Sequence, residues 1–159
     1  MYDEIDLSNV LWDNLLNHDV LFEWKQEYAL GIPLIDEQHR GIVAIVNSLH
    51  CAMENGFAET VLEPIIDMTH KYMQIHFGAE EYCFGKCNYP GTKQHQQAHE
   101  ILSERLFEVG QESIFNNEPK RFMEFLAKWL VNHLLTEDRK FRDYFVETKP
   151  RVTIYRSAR

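Results

Sequence analysis

Histidine and carboxylate side chains recur at four-residue steps in two segments of this sequence. Glu80 follows His76 in QIHFGAEEYC, and His99 follows His95 in HQQAH. Residues four apart on an α-helix differ by about 40° in direction, so each pair presents both side chains on one face. Imidazole and carboxylate are ligands of transition-metal ions. The two pairs therefore predict a metal cation held between helices.

Two further histidines belong to apolar faces of predicted helices. His39 lies among Ile35, Ile42 and Val43, and His133 lies in the segment WLVNHLLTED. A lone histidine on such a face is more often a hydrogen-bonded core residue than a ligand. Five inward histidines and an inward glutamate without partners would cost about 1–3 kcal/mol each, against a total stability of about 5–15 kcal/mol. One cation at their centre would satisfy them all.

The three other histidines have positions that do not fit this centre. His70 lies on a different face from His76, His50 lies far along the first helix, and His18 lies in the N-terminal arm. We interpret all three as ordinary structural or surface residues.

Four segments with helical periodicity position the candidate ligands. They run from Pro33 or Asp36 to Asn55, from Ala58 to Phe84, from Thr92 to Val109 before Gly110, and from Pro119 to Val146. Pro64 is compatible with the second segment only near its first turn. Long helices with short loops pack as antiparallel neighbours, which predicts an all-α fold, an up-down-up-down four-helix bundle.

Two flanking segments extend this bundle, for which we expect the boundaries 31–147. Residues 1–30 form an acidic N-terminal arm with apolar anchors, and residues 148–159 form a short basic C-terminal tail or linker. The predicted anchors of the arm are Val10, Leu11, Trp12, Leu15, Leu16, Phe22 and Trp24.

The fourth helix offers two candidates for a second inward carboxylate. Asp138 follows His133 by five residues, which is about 140° around an ideal helix and too wide for one narrow stripe. Either Glu137 points inward instead, or the helix widens by one residue into a π-bulge, a feature that is frequent at functional sites.

Composition excludes several classes of function. The formal charge of -9 disfavours nucleic acid and anionic membranes as partners. No apolar run approaches the roughly 18 residues of a membrane span, and the acidic N-terminus does not resemble a secretion signal, so we expect a cytoplasmic protein. Three cysteines without a CxxC pair argue against a disulfide framework or a zinc knuckle.

The ordered set of candidate ligands resembles the complete ligand pattern of the hemerythrin family. The segments IDEQH, HFGAEE, YPGTKQHQQAH and WLVNH look like its bacterial branch, and the resemblance spans about residues 22–146. It favours Asp138 over Glu137. The metal ligands that it implies are His39, His76, Glu80, His95, His99, His133 and Asp138.

The resemblance also implies a cofactor and an activity. It implies two iron ions per chain in an Fe–O(H)–Fe centre that binds O2 reversibly, and azide-like anions in the diferric form. One iron would be held by His95, His99 and His133, the other by His39 and His76, with Glu80 and Asp138 bridging. The expected role is that of an oxygen sensor or carrier, with a fused or partner signalling domain as a candidate output.

An enzymatic role for the same centre is the alternative. A di-iron enzyme would reduce peroxide or nitric oxide, but it would need an electron path and a proton donor, and we predict no catalytic residue. Cys83 lies three residues after Glu80, and Cys87 lies one turn further on. We interpret Cys83 as a small buried hydrophobe, and a redox role with Cys87 as the less favoured reading.

Overall fold

The computed structural model of the protein describes residues 22–148. The helices are α1 (Pro33–Glu54), α2 (Ala58–Cys87), α3 (Thr92–Asn116), α4 (Pro119–His133) and α5 (Arg139–Thr148). A π-helical turn, Leu134–Asp138, joins α4 to α5, and a 3-10 turn, Gln26–Tyr28, precedes α1. We refer to α4, the π-turn and α5 together as the fourth rod.

The long helices pack in a ring. Each contacts the next along the chain, and the fourth rod returns to contact α1. The loops 55–57, 88–91 and 117–118 are too short for anything but antiparallel neighbours. The predicted all-α, up-down-up-down four-helix bundle is therefore confirmed. None of the helices within residues 22–148 has the length and hydrophobicity that crossing a bilayer requires.

The prediction that α3 stops before Gly110 is wrong. The helix continues to Asn116 and ends where Asn117 adopts a φ of 54°. A Cβ atom at position 110 would lie 2.9 Å from Cγ2 of Ile66 on α2. Gly110 is therefore a point of close approach between two helices, because a larger residue there would push them apart.

The second helix also differs in detail from expectation. Pro64 lies in its second turn, one turn later than predicted, and α2 runs on past Phe84 to Cys87. Proline removes the hydrogen bond to the carbonyl of Thr60, but both residues are exposed, so water can satisfy that carbonyl. Asn88, with a φ of 52°, ends the helix.

The described part of the arm lies along α1. The backbone N–H of Phe22 donates to Oδ1 of Asn47, and Nδ2 of Asn47 donates to the carbonyl of Phe22, both at 2.9 Å. The backbone N–H groups of Leu30 and Gly31 donate to the carboxylate of Asp36 at 2.7 and 3.1 Å. The predicted anchors from Val10 to Leu16 and almost all of the tail lie outside the described residues.

The core consists of two apolar clusters. The larger one includes Ile42 of α1, Met73 of α2 and Leu134 of the fourth rod. The smaller cluster contains Leu30, Ile32, Ile35, Cys83, Phe84, Cys87 and Phe141. Along their helices, His39, Glu80 and Asp138 each lie between a residue of the larger cluster and a residue of the smaller one. We use the name polar layer for the buried set His39, His76, Glu80, His95, His99, His133 and Asp138.

Candidate metal centre

The polar layer brings together all seven residues that the sequence predicted as ligands. All seven residues are buried, and none of them is more than 4% exposed. They come from every long helix: His39 from α1, His76 and Glu80 from α2, His95 and His99 from α3, His133 from α4, and Asp138 from the π-turn.

Three histidines form one side of the centre. Nε2 of His95 and Nε2 of His133 lie 3.0 Å apart, and Nε2 of His99 lies 3.0 Å from Oε2 of Glu80. Potential ligand atoms of these four residues all lie within 4.8 Å of one another. Imidazole nitrogens that converge in this way fit a shared metal cation.

Two histidines form the other side. Nε2 of His39 and Nε2 of His76 each lie 3.6 Å from Oε1 of Glu80, and the three residues form a second group with ligand atoms within 4.8 Å. Glu80 belongs to both groups because its second oxygen faces His99. Its carboxylate therefore lies where it can bridge two ions.

Asp138 also reaches both sides. Its Oδ1 lies 3.1 Å from Nε2 of His95 and of His133, and its Oδ2 lies 3.3 Å from Nε2 of His39. The predicted departure from regular α-helical bonding is confirmed, since Leu134–Asp138 is π-helical. Oε1 of Glu137 instead accepts a hydrogen bond from Nζ of Lys140 at 2.8 Å.

The polar atoms of the centre fit a bound metal. Among the Nε2 and carboxylate oxygen atoms that face one another across the centre, seven are buried without a hydrogen-bond partner within residues 22–148: Nε2 of His39, His76 and His99, and both carboxylate oxygens of Glu80 and of Asp138. Each would destabilise the fold by about 1–3 kcal/mol if left so. These atoms are ligand types that suit iron and other transition metals, so a cation would compensate them together.

Two polar side chains outside the predicted set orient the histidines. Nδ1 of His76 lies 3.1 Å from Oε1 of Gln38, and Nδ1 of His99 lies 3.0 Å from Oε1 of Glu81. Nε2 of Gln96 donates to the other oxygen of Glu81 at 3.1 Å. With the proton held on Nδ1, the Nε2 atom of each ring is free to bind a metal. Sequence reasoning missed both partners, although Glu81 stands directly beside Glu80.

In the metal-free protein, protons compensate part of the buried negative charge. Burial alone would lower the pKa of His39, but its contacts with Asp138 and Glu80 outweigh burial and raise that pKa to about 9. Asp138 likewise raises the pKa of His133 against the effect of burial. Burial would raise the pKa values of Glu80 and Asp138, and repulsion by Asp138 would raise that of Glu80 further, but the surrounding histidines hold both below their usual range.

His76 behaves differently from His39. Burial dominates there and lowers its pKa to about 4, although Glu80 opposes the shift. A neutral imidazole can bind a metal without first losing a proton. His76 is thus ready to act as a ligand at neutral pH.

The residues that we set aside lie away from the centre. The ring of His70 contacts Phe107, with centroids 5.9 Å apart, and His50 is partly buried near the other end of α1. His18 lies outside the described residues. Cys83 and Cys87 pack in the smaller apolar cluster, and burial raises the pKa of the Cys83 thiol to about 11. This environment favours the packing interpretation of Cys83.

The fold and the site together define a four-helix-bundle protein with a buried histidine and carboxylate centre suited to metal cations. The sequence pattern of the Hemerythrin HHE cation binding domain matches residues 30–144. The chain therefore belongs to the hemerythrin family, as its motifs predicted.

Individual relatives are similar over most of their lengths. The bacteriohemerythrin of Stenotrophomonas maltophilia is 30% identical over 129 residues, covering 77% of this chain and 80% of the relative. That of Clostridium acetobutylicum is 26% identical over 129 residues, covering 77% and 100%. A hemerythrin-like protein of Naegleria gruberi is 26% identical over 121 residues, covering 76% and 91%.

Proposed function

We propose that the polar layer holds two iron ions and that this centre binds O2 reversibly. The observation that carries the proposal is the convergence of five imidazoles with two carboxylates, each carboxylate in contact with both groups of histidines. Ferritin-like di-iron proteins use Glu-x-x-His motifs with further carboxylates. The centre of this chain has more imidazole and less carboxylate than those proteins. Neutral imidazole stabilises high-valent iron less than carboxylate does, which favours reversible binding of O2 over cleavage of its O–O bond.

The ligands divide unequally between the two ions. His95, His99 and His133 would hold one ion, His39 and His76 would hold the other, and the carboxylates of Glu80 and Asp138 would bridge them. The His39 side has one imidazole fewer. An open coordination position on an otherwise closed centre is a binding place for one small molecule.

Ferrous iron held by these residues would supply the electrons for O2 binding, and the protein would control what else reaches the site. The residues one turn from His39, His76 and Glu80 are Ile35, Ile42, Val43, Met73 and Cys83, and none is more than 6% exposed. An apolar wall of this kind limits access of water and protons, which would otherwise promote irreversible oxidation. We therefore favour O2 binding over reduction of peroxide or nitric oxide.

We place sensing somewhat above transport as the cellular role, in the cytoplasm. Residues 1–30 and 148–159 extend beyond what a simple carrier needs, and they are candidate connections to a fused or partner signalling domain. The formal charge of -9 for the whole chain disfavours nucleic acid as a partner, although the C-terminal tail itself is basic.

Metal analysis and gas cycling test the proposal. The chain expressed in iron-replete cells should contain about two irons, and its reduced form should gain a charge-transfer absorption band under O2 and lose it under argon over repeated cycles. A protein that contains one zinc and no iron would contradict the metal assignment. Complete oxidation in the first exposure would contradict reversible binding.

Azide and a polar substitution test the location of the open position. In a crystal of the diferric protein soaked with azide, the anion should bind the ion held by His39 and His76. Ile42→Asn should speed autoxidation more than it weakens O2 binding, because it admits water to the wall. Azide on the ion held by His95, His99 and His133 would place the open position on the other metal.

A further inference from the structure

An aromatic residue of the arm, Trp24, lies close to His39, and a second one, Tyr28, lies next to Trp24. The Trp24 ring lies 6.3 Å from the His39 imidazole, centroid to centroid, with an angle of 26° between their planes. The ring of Tyr28 lies 5.7 Å from that of Trp24 and meets it edge-on. Both residues precede position 30, where the match to the family begins. The surroundings of His39 are therefore completed by a segment outside that match.

Each of these three residues has a buried polar atom without a partner. Nε1 of Trp24, the hydroxyl oxygen of Tyr28 and Nδ1 of His39 make no hydrogen bond within residues 22–148. Tyr28 is 1% exposed and His39 is 0% exposed. The rings of His76 and His99 differ in this respect, because Gln38 and Glu81 are partners of their Nδ1 atoms. Nδ1 of His95 is likewise buried without a partner within residues 22–148.

The chemistry of the three groups defines what would satisfy them. If Nε2 of His39 binds a metal, its Nδ1 carries the proton and can only donate. The indole N–H of Trp24 is also only a donor, whereas the Tyr28 hydroxyl can donate or accept. A water molecule could accept from His39 and Trp24 and donate to Tyr28. Buried waters with about three such partners are a regular feature of proteins.

Water suits these three groups because it can both accept and donate. The two N–H groups need an acceptor, and the Tyr28 hydroxyl can act as donor or acceptor. A water molecule can fill both roles at once, whereas an anion can only accept.

We propose that Trp24 and Tyr28 hold a water molecule against Nδ1 of His39, so that the arm positions a ligand of the metal centre. This inference rests on the proposed function in taking His39 as a ligand of one of two metal ions. Water orients His39 less firmly than the carboxylate of Glu81 orients His99. His95 also lacks an Nδ1 partner, but it would share its ion with two other imidazoles, whereas His39 would share its ion with His76 alone. The ion held by His39 and His76 should therefore be the first of the two to leave.

Crystallography of the full chain tests the water directly. We expect electron density for one water within about 3 Å of both Nδ1 of His39 and Nε1 of Trp24. A crystal without that density, or with a side chain from residues 1–21 in its place, would overturn the inference. Iron content of the unmodified protein tests the proposed function separately, so the two can fail independently.

Metal release from matched variants tests the consequence. Trp24→Phe and Tyr28→Phe each keep an aromatic ring and remove one polar atom. Each should speed chelator-driven loss of one of the two irons about tenfold and leave loss of the second unchanged. The control is Trp129→Phe, because Trp129 lies 5.3 Å from the His133 ring but its indole nitrogen is not among the unpartnered atoms.

Two outcomes distinguish positioning from simple destabilisation of the arm. Equal metal loss from the Trp24, Tyr28 and Trp129 variants would overturn the inference. So would loss of both irons at one common accelerated rate, because weaker packing would open the whole centre. Loss of a single iron in both arm variants, with an unchanged midpoint of thermal unfolding in the metal-free state, would support it.

Discussion

Loading the metal-free protein with a divalent ion should release protons. The pKa of His39 is raised to about 9, so this imidazole carries a proton at pH 7 before metal binds. Asp138 raises the pKa of His133 in the same direction. A metal can bind only the neutral nitrogen, so His39 must lose its proton. We expect at least about one proton per chain, that of His39, to leave when the centre fills.

The pKa of His39 sets the size and sign of the effect. A pH of 7 is about two units below the pKa of His39, so only about one ring in 100 is neutral. The apparent affinity for metal is therefore weakened about 100-fold, or about 3 kcal/mol. Affinity should rise with pH and level off above about pH 9. The stability that the raised pKa gives to the metal-free fold has the opposite trend: it is fully present below pH 6.5 and is lost as pH rises through about 9.

Calorimetry in paired buffers measures the protons. Zn²⁺ titrated into the metal-free protein at pH 7, in two buffers with different ionisation enthalpies, gives the number released from the difference in heat. His39→Gln should release about one proton fewer, and His70→Ala should match the unmodified protein. A pH-independent affinity with no proton release would refute the assignment of His39 as a ligand that is protonated before metal binds.

Three further perturbations have defined outcomes. Replacing His133 by Ala should remove one or both irons, which metal analysis measures. It should also lower the free energy of unfolding in urea by about 3–5 kcal/mol, because a buried carboxylate loses its partner. Equal iron loss from His70→Ala would show that the division of the histidines into ligands and other residues is wrong. Glu81→Gln should speed loss of the ion bound by His99 about tenfold in a chelator assay, since a neutral amide polarises the ring less, and an unchanged rate would contradict its positioning role. Mass spectrometry after repeated oxygenation should find Cys83 reduced, because burial raises its thiol pKa to about 11, and a Cys83 oxidation product would contradict a pure packing role.

Periodic features of the sequence predicted the fold and the residues that converge at the centre. The four-residue steps at His76 and His95 fix which helix faces point inward. For the fourth helix, geometry left two alternatives open, Glu137 or a π-bulge before Asp138, and the resemblance to the family favoured Asp138. These predictions succeed because they depend on spacing within one helix. Their role as metal ligands remains a proposal.

Features that depend on contacts between elements were not predicted. The pairing of Gln38 with His76 and of Glu81 with His99 joins different helices, and no spacing rule encodes it. The position of Trp24 against His39 depends on how the arm folds back along α1. Gly110 was misread as a helix end for the same reason, since its neighbour Ile66 lies on another helix.

The π-turn has a consequence for insertions and deletions. A π-turn accommodates one more residue than an α-turn while the helix on either side keeps its direction. Removing Thr136, whose hydroxyl only donates to the carbonyl of Asn132, would leave His133 and Asp138 four residues apart. That is the step which aligns His76 with Glu80 on a regular helix. A chain without Thr136 should therefore keep the side chains of His133 and Asp138 in the centre and Phe141 in the same position in the core. A deletion of one residue inside α4 should instead turn His133 out of the site.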